Sequence, residues 1–333
     1  MKICSYYQSN QFPIAKRMGI LMDDGQILDP NLVWALHFEK EGYKNYLLRA
    51  DQKISTSLYN NLTQRDHLLT LLQETLVMGQ QFLKAGHSKL HDQTPIVFKQ
   101  SEITKLSKPL DKIGTYRDFY VHEKHVAKGF QKRKEEVPAA WYEIPVYYKG
   151  ATEGFIGPDQ DILWPRYTDV LDYELELAIV IGRDGKNIKA TKAQDYIFGY
   201  TILNDISARD IQRKEMSVRL GPSKGKDFCS IIGPVIVTSD EFNHKEPNLT
   251  MIARVNGQEW SRGQSGDGHY TFAQMIEFVS QDEWLMAGDL IGSGTVGTGC
   301  GLELDRWIQA NDVLELEVEK IGILKNKVGQ KEK

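Results

Sequence analysis

The stretch Asp172-Tyr173-Glu174-Leu175-Glu176-Leu177-Ala178-Ile179-Val180-Ile181-Gly182 constrains this chain more than any other part of it. Side chains alternate along a strand, so Glu174 and Glu176 share one face while Leu175 and Leu177 take the other. The run then becomes continuously apolar, the pattern of a strand entering a core. Two like charges beside a core repel each other, and desolvation disfavours both anions. A bound divalent cation would relieve both costs, and an all-oxygen ligand set suits Mg2+, Ca2+ or Mn2+ better than zinc. The competing explanation is an edge strand with two solvated glutamates, and for Glu-x-Glu alone it is the commoner one. Two further acids bear on the choice. Asp205 follows the apolar run 197–203 where a helix begins, a place also suited to an N-cap. Asp118 sits among aromatics in Tyr116-Arg117-Asp118-Phe119-Tyr120, where a structural salt bridge is the alternative.

The rest of the sequence supplies a scaffold around that strand. Short strand-like runs at 235–238, 250–255, 289–291 and 313–321 are separated by Gly, Pro and Asn, which predicts a mostly β unit from about residue 116 onward. Asn256-Gly257 between two such runs predicts a tight hairpin. Helical spacing interrupts this unit only at 208–218 and 272–280. The first hundred residues read differently: a strand–turn–strand around Asp23-Asp24-Gly25, then a helix of about five turns from an Asp66 cap to Gly86. A polar connection follows over 87–109. The expected layout is a small N-terminal α+β domain (1–110), a catalytic domain (111–325) and a frayed tail (326–333).

Composition narrows what such an acid-bearing scaffold can meet. Lys and Arg number 41 against 45 Asp and Glu, so no basic surplus points to nucleic acid. Cys4, Cys229 and Cys300 lie far apart with no Cys-x-x-Cys spacing, which argues against a disulfide framework or a thiolate zinc site. No apolar stretch is long enough to span a membrane, and the first residues lack the apolar core of a signal peptide. The expectation is a cytoplasmic, globular protein.

Five ordered blocks between about Gly114 and Glu319 carry a resemblance. They are Asp118-Phe119-Tyr120 with His125, the Asp172–Glu176 stretch, Asn204-Asp205 through Gln212, Leu220-Gly221-Pro222 through Lys226, and Gly292 through Gly297 with Glu303. Together they resemble the fumarylacetoacetate hydrolase family. The resemblance implies an α+β, mostly β fold, with a mixed β-roll catalytic domain of the fumarylacetoacetase C-terminal type behind a small N-terminal domain. It also implies one divalent cation, Mg2+ or else Ca2+ or Mn2+, held by Asp118, Glu174, Glu176 and Asp205, and a homodimer. His125 matches the water-activating histidine and Glu303 the acid that orients it; an unperturbed histidine titrates near neutrality, as such a base needs. Arg209, Gln212 and Lys226 match positions facing the substrate, with chemistry suited to an oxyanion and an enolate. Their bland alternatives are helix surface charge and a solvated loop. Tyr120, Tyr148 and Thr295 match substrate-contacting positions, and Arg133, within the basic run after His125, is taken as the substrate arginine. His122 does not align and reads as a surface histidine.

Departures from the family pattern leave the substrate open. Met216 stands where fumarylacetoacetate-cleaving members carry a tyrosine, and Lys128 where the acylpyruvate and oxaloacetate branch carries glutamate. Two other motifs mislead. Gly292-x-Gly294-x-x-Gly297 satisfies the dinucleotide fingerprint, but no helix is expected over 300–307; the loop Gly221–Lys226 is one residue short of a P-loop. The function expected is metal-dependent hydrolysis of a carbon–carbon bond in a 1,3-diketo or acylpyruvate-type acid, as in the breakdown of aromatic compounds. Decarboxylation of a β-keto acid, or isomerisation or hydration of an oxo-dienoic acid, at the same metal site is the alternative. A non-catalytic, metal-stabilised binding protein is a third reading, which would need neither His125 nor Lys226.

Overall fold

A computed structural model describes residues 1–8, 16–64, 67–99 and 103–331. The apolar run does enter the core: every residue of the strand Leu175–Ile181 is buried. It lies between two antiparallel neighbours, Ile197–Asn204 with Leu175 opposite Asn204, and Leu290–Gly292 with Ala178 opposite Gly292. Pairing on both edges and burial on both faces account for its lack of polar alternation. Among the described residues twelve strands join this sheet. From Ile197–Asn204 it continues through Ser230–Thr238 to the N-terminal strands Lys2–Gln8 and Lys16–Leu21. On the other side it passes from Leu290–Gly292 to Tyr116–Phe119 and Tyr147–Gly150. A second, five-stranded sheet runs Gln258–Gln264, Thr250–Val255, Val313–Val318, Gly322–Lys331, Asp161–Trp164. One hydrophobic cluster extends from Met1 and Ile3 through Ile179 and Ile202 to Val328, so both sheets share a core. The architecture is the expected α+β, mostly β fold with mixed sheets.

Several local expectations are met for the physical reasons given. Asn256 and Gly257 both adopt positive φ (51° and 77°) between Thr250–Val255 and Gln258–Gln264, as a two-residue hairpin requires. Ile20 pairs with Leu28 across the turn holding Gly25. The helix Leu68–Lys84 ends before Gly86 at φ +80°, a left-handed position that glycine occupies without strain. The Asp66 cap lies outside the described residues. The helix Phe272–Ser280 carries a capping box between Thr271 and Gln274.

Other expectations are corrected. Over residues 326–331 the expected tail does not fray: Gly322–Lys331 is a strand paired with Val313–Val318 and with Asp161–Trp164, its side chains alternating inward at Leu324, Asn326 and Val328. The connection over 87–109 contains the strands Val97–Phe98 and Ile103–Ser107. A helix over Glu123–Arg133 interrupts the β unit, although only His125, Val126 and Gly129 are buried in it. With so narrow a buried stripe and four lysines and arginines, it has little apolar periodicity to reveal it. The expected boundary near residue 110 does not separate two sheets, because Lys2 and Ile3 pair with Val237 and Ile236. Among the described residues no helix is long and apolar enough to cross a membrane.

Candidate active site

Strand ends deliver the acids. Asp118 lies on Tyr116–Phe119 opposite Gly292, Glu174 and Glu176 flank the start of Leu175–Ile181, and Asp205 follows Ile197–Asn204 directly. Because Leu175 is in register with Asn204, the acids of neighbouring strands meet at one end of the sheet. Asp118, Glu174, Glu176 and Asp205 are all buried, and one carboxylate oxygen of each lies within 4.8 Å of the others. The solvated-edge explanation for Glu174 and Glu176 is thereby excluded, as are the cap and salt-bridge explanations for Asp205 and Asp118.

Charge balance in this cluster is uneven. Lys226 Nζ lies 2.5 Å from both Glu174 Oε2 and Asp205 Oδ2, and Arg209 Nη2 lies 2.8 Å from Glu174 Oε1. Burial pushes the Glu174 carboxyl up, but these two cations pull it down to about 2. Among the described residues no cation pairs directly with Asp118 or Glu176, and the pull of Lys226 on Asp118 is the smaller effect. Burial first, and then the neighbouring acids, hold both well above the usual carboxylate range. Buried Asp118 Oδ1 has no hydrogen-bond partner. The backbone makes room as well, since a Cβ on Gly292 would stand 2.4 Å from Asp118 Oδ1 and 3.1 Å from Glu176 Oε2. An orphaned acceptor, two proton-holding acids and a side-chain-free wall fit a hard divalent cation bound by oxygen.

The sequence-predicted residues sort clearly around this cluster. Tyr148 Oη donates to Asp205 Oδ2 at 2.6 Å, and Ser230 Oγ to Asp205 Oδ1 at 2.9 Å. Thr295 Oγ1 donates to Glu176 Oε1 at 3.3 Å, beside the Gly294 N–H. Arg209 and Lys226 are buried, not a surface charge and a solvated loop. Arg209 Nη1 donates to Gln212 Oε1 at 2.9 Å, which places Gln212 beside it on one helix turn. The Tyr120 ring stands edge-on to His125 at 5.3 Å. Arg133 is not brought to the carboxylates; its guanidinium pairs with Glu135, lies over Phe130 and is half exposed.

The fold also brings His125 and Glu303 together. His125, in the first turn of Glu123–Arg133, lies with Nδ1 2.7 Å from Glu303 Oε1. The Thr298 N–H holds the other carboxylate oxygen at 2.9 Å. Burial raises the Glu303 carboxyl, yet its hydrogen bond to His125 brings it below the ordinary value. His122 is not on the surface: it is 2% exposed with neither ring nitrogen partnered, and burial followed by the nearby His125 lowers it to about 4.

Two residues given no role in the sequence reading organise the site. Asp172 accepts from Arg209 Nε at 2.8 Å and from the Gly301 and Leu302 N–H groups at 2.7 and 2.9 Å. Those donors open a short helix, Gly301–Leu304, where none was expected over 300–307. Glu303 sits in that helix, whose N-terminus is filled by the chain's own carboxylate and so offers no phosphate site. Cys300, just before it, lies beside His125 and Glu303. The Asp172 signal was present as an acid preceding the Glu-x-Glu; nothing in the spacing marked Cys300.

Comparison with known proteins agrees with this geometry. Residues 114–329 match the family model described as Fumarylacetoacetate (FAA) hydrolase C-terminal. An oxaloacetate tautomerase of Bacillus subtilis is 33% identical over 229 residues, covering 68% of this chain and 71% of that protein. A fumarylacetoacetate hydrolase from Exiguobacterium antarcticum superposes with a TM-score of 0.69 at 24% identity, over 99% of both chains. A fumarylpyruvate hydrolase from Pseudomonas aeruginosa, solved with Mn2+ and pyruvate, gives 0.57 at 19% identity, covering 68% of this chain and 92% of that one. With its carboxylate cluster, its base pair and a matched span covering most of its length, the chain belongs to the fumarylacetoacetate hydrolase family.

Proposed function

We propose that this protein is a divalent-metal-dependent enzyme that hydrolyses a carbon–carbon bond in a small 1,3-diketo or acylpyruvate-type acid. The observation that carries the reading is the His125–Glu303 pair, 2.7 Å apart, beside four buried carboxylates. Asp118, Glu174, Glu176 and Asp205 would hold the cation, Mg2+ or else Mn2+ or Ca2+. When bound, it supplies Lewis acidity toward the paired carbonyl oxygens of such a substrate. Glu303 fixes the proton of His125 on Nδ1, which leaves Nε2 to take a proton from water. Arg209 and Gln212 are placed to donate to the oxyanion of the attacked carbonyl. As the carbon–carbon bond breaks, its electron pair passes to the departing enolate, whose carbon Lys226 protonates. Tyr120, Tyr148, Thr295 and Arg133 are proposed to contact the substrate, and the active form is proposed to be a homodimer.

Keto–enol tautomerisation of a β-keto dicarboxylate is a second reading, favoured by the relative at 33% identity named as an oxaloacetate tautomerase. There His125 would take its proton from carbon and no water would attack. Proton NMR in deuterated buffer separates the two, using fumarylpyruvate, acetylpyruvate, fumarylacetoacetate and oxaloacetate with Mg2+ and EDTA controls. Two acid fragments formed only with metal establish hydrolysis; an intact skeleton with metal-dependent deuterium uptake at the central carbon establishes tautomerisation. His125→Ala should abolish either reaction while calorimetry still records Mg2+ binding. Loss of both together would remove His125 from the role of base.

A further inference from the structure

Beside the four carboxylates stands a second group of donors with a different chemistry. Cys300 Sγ lies 3.9 Å from His125 Nδ1 and 3.6 Å from Glu303 Oε1, and those two atoms are 2.7 Å apart. A thiol, an imidazole and a carboxylate thus converge within 4.8 Å, and Cys300 and His125 are both buried. Their backbone is held firmly as well. Cys300 forms an isolated β-bridge with Glu174 and occupies the N-cap position of the helix carrying Glu303, which places it between the two clusters.

This donor set differs from its neighbour in softness. Oxygen-only ligands suit Mg2+, whereas thiolate with imidazole selects zinc and other thiophilic cations. Tetrahedral zinc, with Zn–S of about 2.3 Å and Zn–N and Zn–O of about 2.0–2.2 Å, separates its donors by roughly 3.3–3.6 Å. The 3.6 Å sulfur–carboxylate distance already fits; closing the 3.9 Å sulfur–imidazole distance by about 0.3 Å and opening the 2.7 Å His125–Glu303 contact by roughly 0.6 Å reaches that geometry.

We propose that Cys300, His125 and Glu303 form a second metal site that takes Zn2+ or a similar thiophilic cation, with water as fourth ligand, and that filling it silences the enzyme. Binding forms Zn–S, Zn–N and Zn–O bonds; the thiol proton passes to solvent, and the ring proton moves from Nδ1 to Nε2, so His125 binds as a neutral imidazole. The cation then occupies both atoms of the hydrogen bond that readies His125 as a base. The silencing half rests on the function proposed above; the binding half does not.

The test uses the full chain, reduced and saturated with Mg2+ so that the carboxylates are filled. Co2+ added as a spectroscopic probe should give a thiolate-to-cobalt charge-transfer band at one equivalent, which Zn2+ displaces. Cys300→Ser should lack the band, and inhibition of whatever Mg2+-dependent turnover it has should need at least about tenfold more Zn2+. The Cys4→Ser/Cys229→Ser double variant, which retains Cys300, should keep the band; this arm does not depend on Cys300→Ser folding. Absence of the band from the wild type, its persistence in Cys300→Ser, or its loss from the double variant would each overturn the site. A band with undiminished turnover under saturating Zn2+ would leave the site standing and overturn its silencing role, with His125 as the base.

Discussion

Glu303→Gln is the sharpest probe of the base pair, because the outcome follows from which atoms the amide can satisfy. Glu303 accepts from His125 Nδ1 on one oxygen and from the Thr298 N–H on the other. Glutamine has a single oxygen. If the Thr298 N–H keeps it, the amide NH2 faces His125, Nδ1 must accept, and the ring proton moves to Nε2, where it blocks the base. If the amide flips, His125 keeps its working tautomer but the Thr298 N–H meets another donor. An unsatisfied donor there costs about 1–3 kcal/mol, so the working form is reduced roughly 5- to 150-fold. Loss of the negative charge opposite a developing imidazolium adds to this, and a general base contributes about 10^2–10^4 in rate altogether. The expected result is a fall in kcat of about 10^2–10^4 with KM little changed. Steady-state kinetics at saturating Mg2+ measures it, and calorimetric Mg2+ binding shows that the carboxylates are intact. A fall in kcat smaller than about threefold, with Mg2+ binding unaltered, would refute a role for Glu303 in orienting the base.

Three further outcomes follow from the same geometry. Asp118 and Glu176 hold protons in the metal-free fold that the unfolded chain releases above about pH 4. Stability in EDTA should therefore fall as pH rises above the ordinary carboxylate range; buried His122, lowered to about 4, gives one opposing contribution between about pH 4 and 6.5 against these two, and that of Glu174 lies lower still. Melting curves should show this decline, and excess Mg2+ should remove or reverse it. Gly292→Ala, whose Cβ would press on Asp118 and Glu176, should weaken Mg2+ binding by about 10- to 100-fold in a calorimetric titration. Asp172→Ala leaves Arg209 with one buried partner fewer and frees two helix N–H groups. It should cost about 3–5 kcal/mol in urea denaturation and lower kcat as well.

Legibility in the sequence followed how local each signal is. The core strand, the Asn256-Gly257 hairpin and the helix 272–280 depend on periodicity or turn chemistry contained in a few residues, and all three appear in the structure. Glu174 and Glu176 stood out because charge beside a continuous apolar run demands a partner, whereas Asp118 and Asp205 joined them only through the family resemblance. The helix Glu123–Arg133 was not, since only three of its residues are buried and it borrows its stability from tertiary contacts. The strand Gly322–Lys331 reads as a charged tail because its lysines alternate outward, while its inward residues matter only once Val313–Val318 lies beside them. Position relative to other elements was the missing information elsewhere. His122 looks solvated in the sequence but is 2% exposed, with Gly268 close to its ring, and Cys300 lies beside His125 of a different element.

The pairing of the first residues with Ser230–Thr238 bears on how this protein can be handled and how it can evolve. Lys2 and Ile3 cover one margin of that strand at Val237 and Ile236, two strands away from the strand that carries Glu176. A truncated chain starting after residue 110 would present there a bare row of amide and carbonyl groups flanked by isoleucine and valine, an adhesive margin that invites other chains. The amino-terminal segment is thus a selvedge for the catalytic fabric. An ancestor lacking it would have had to finish that border by some other means, such as a partner strand.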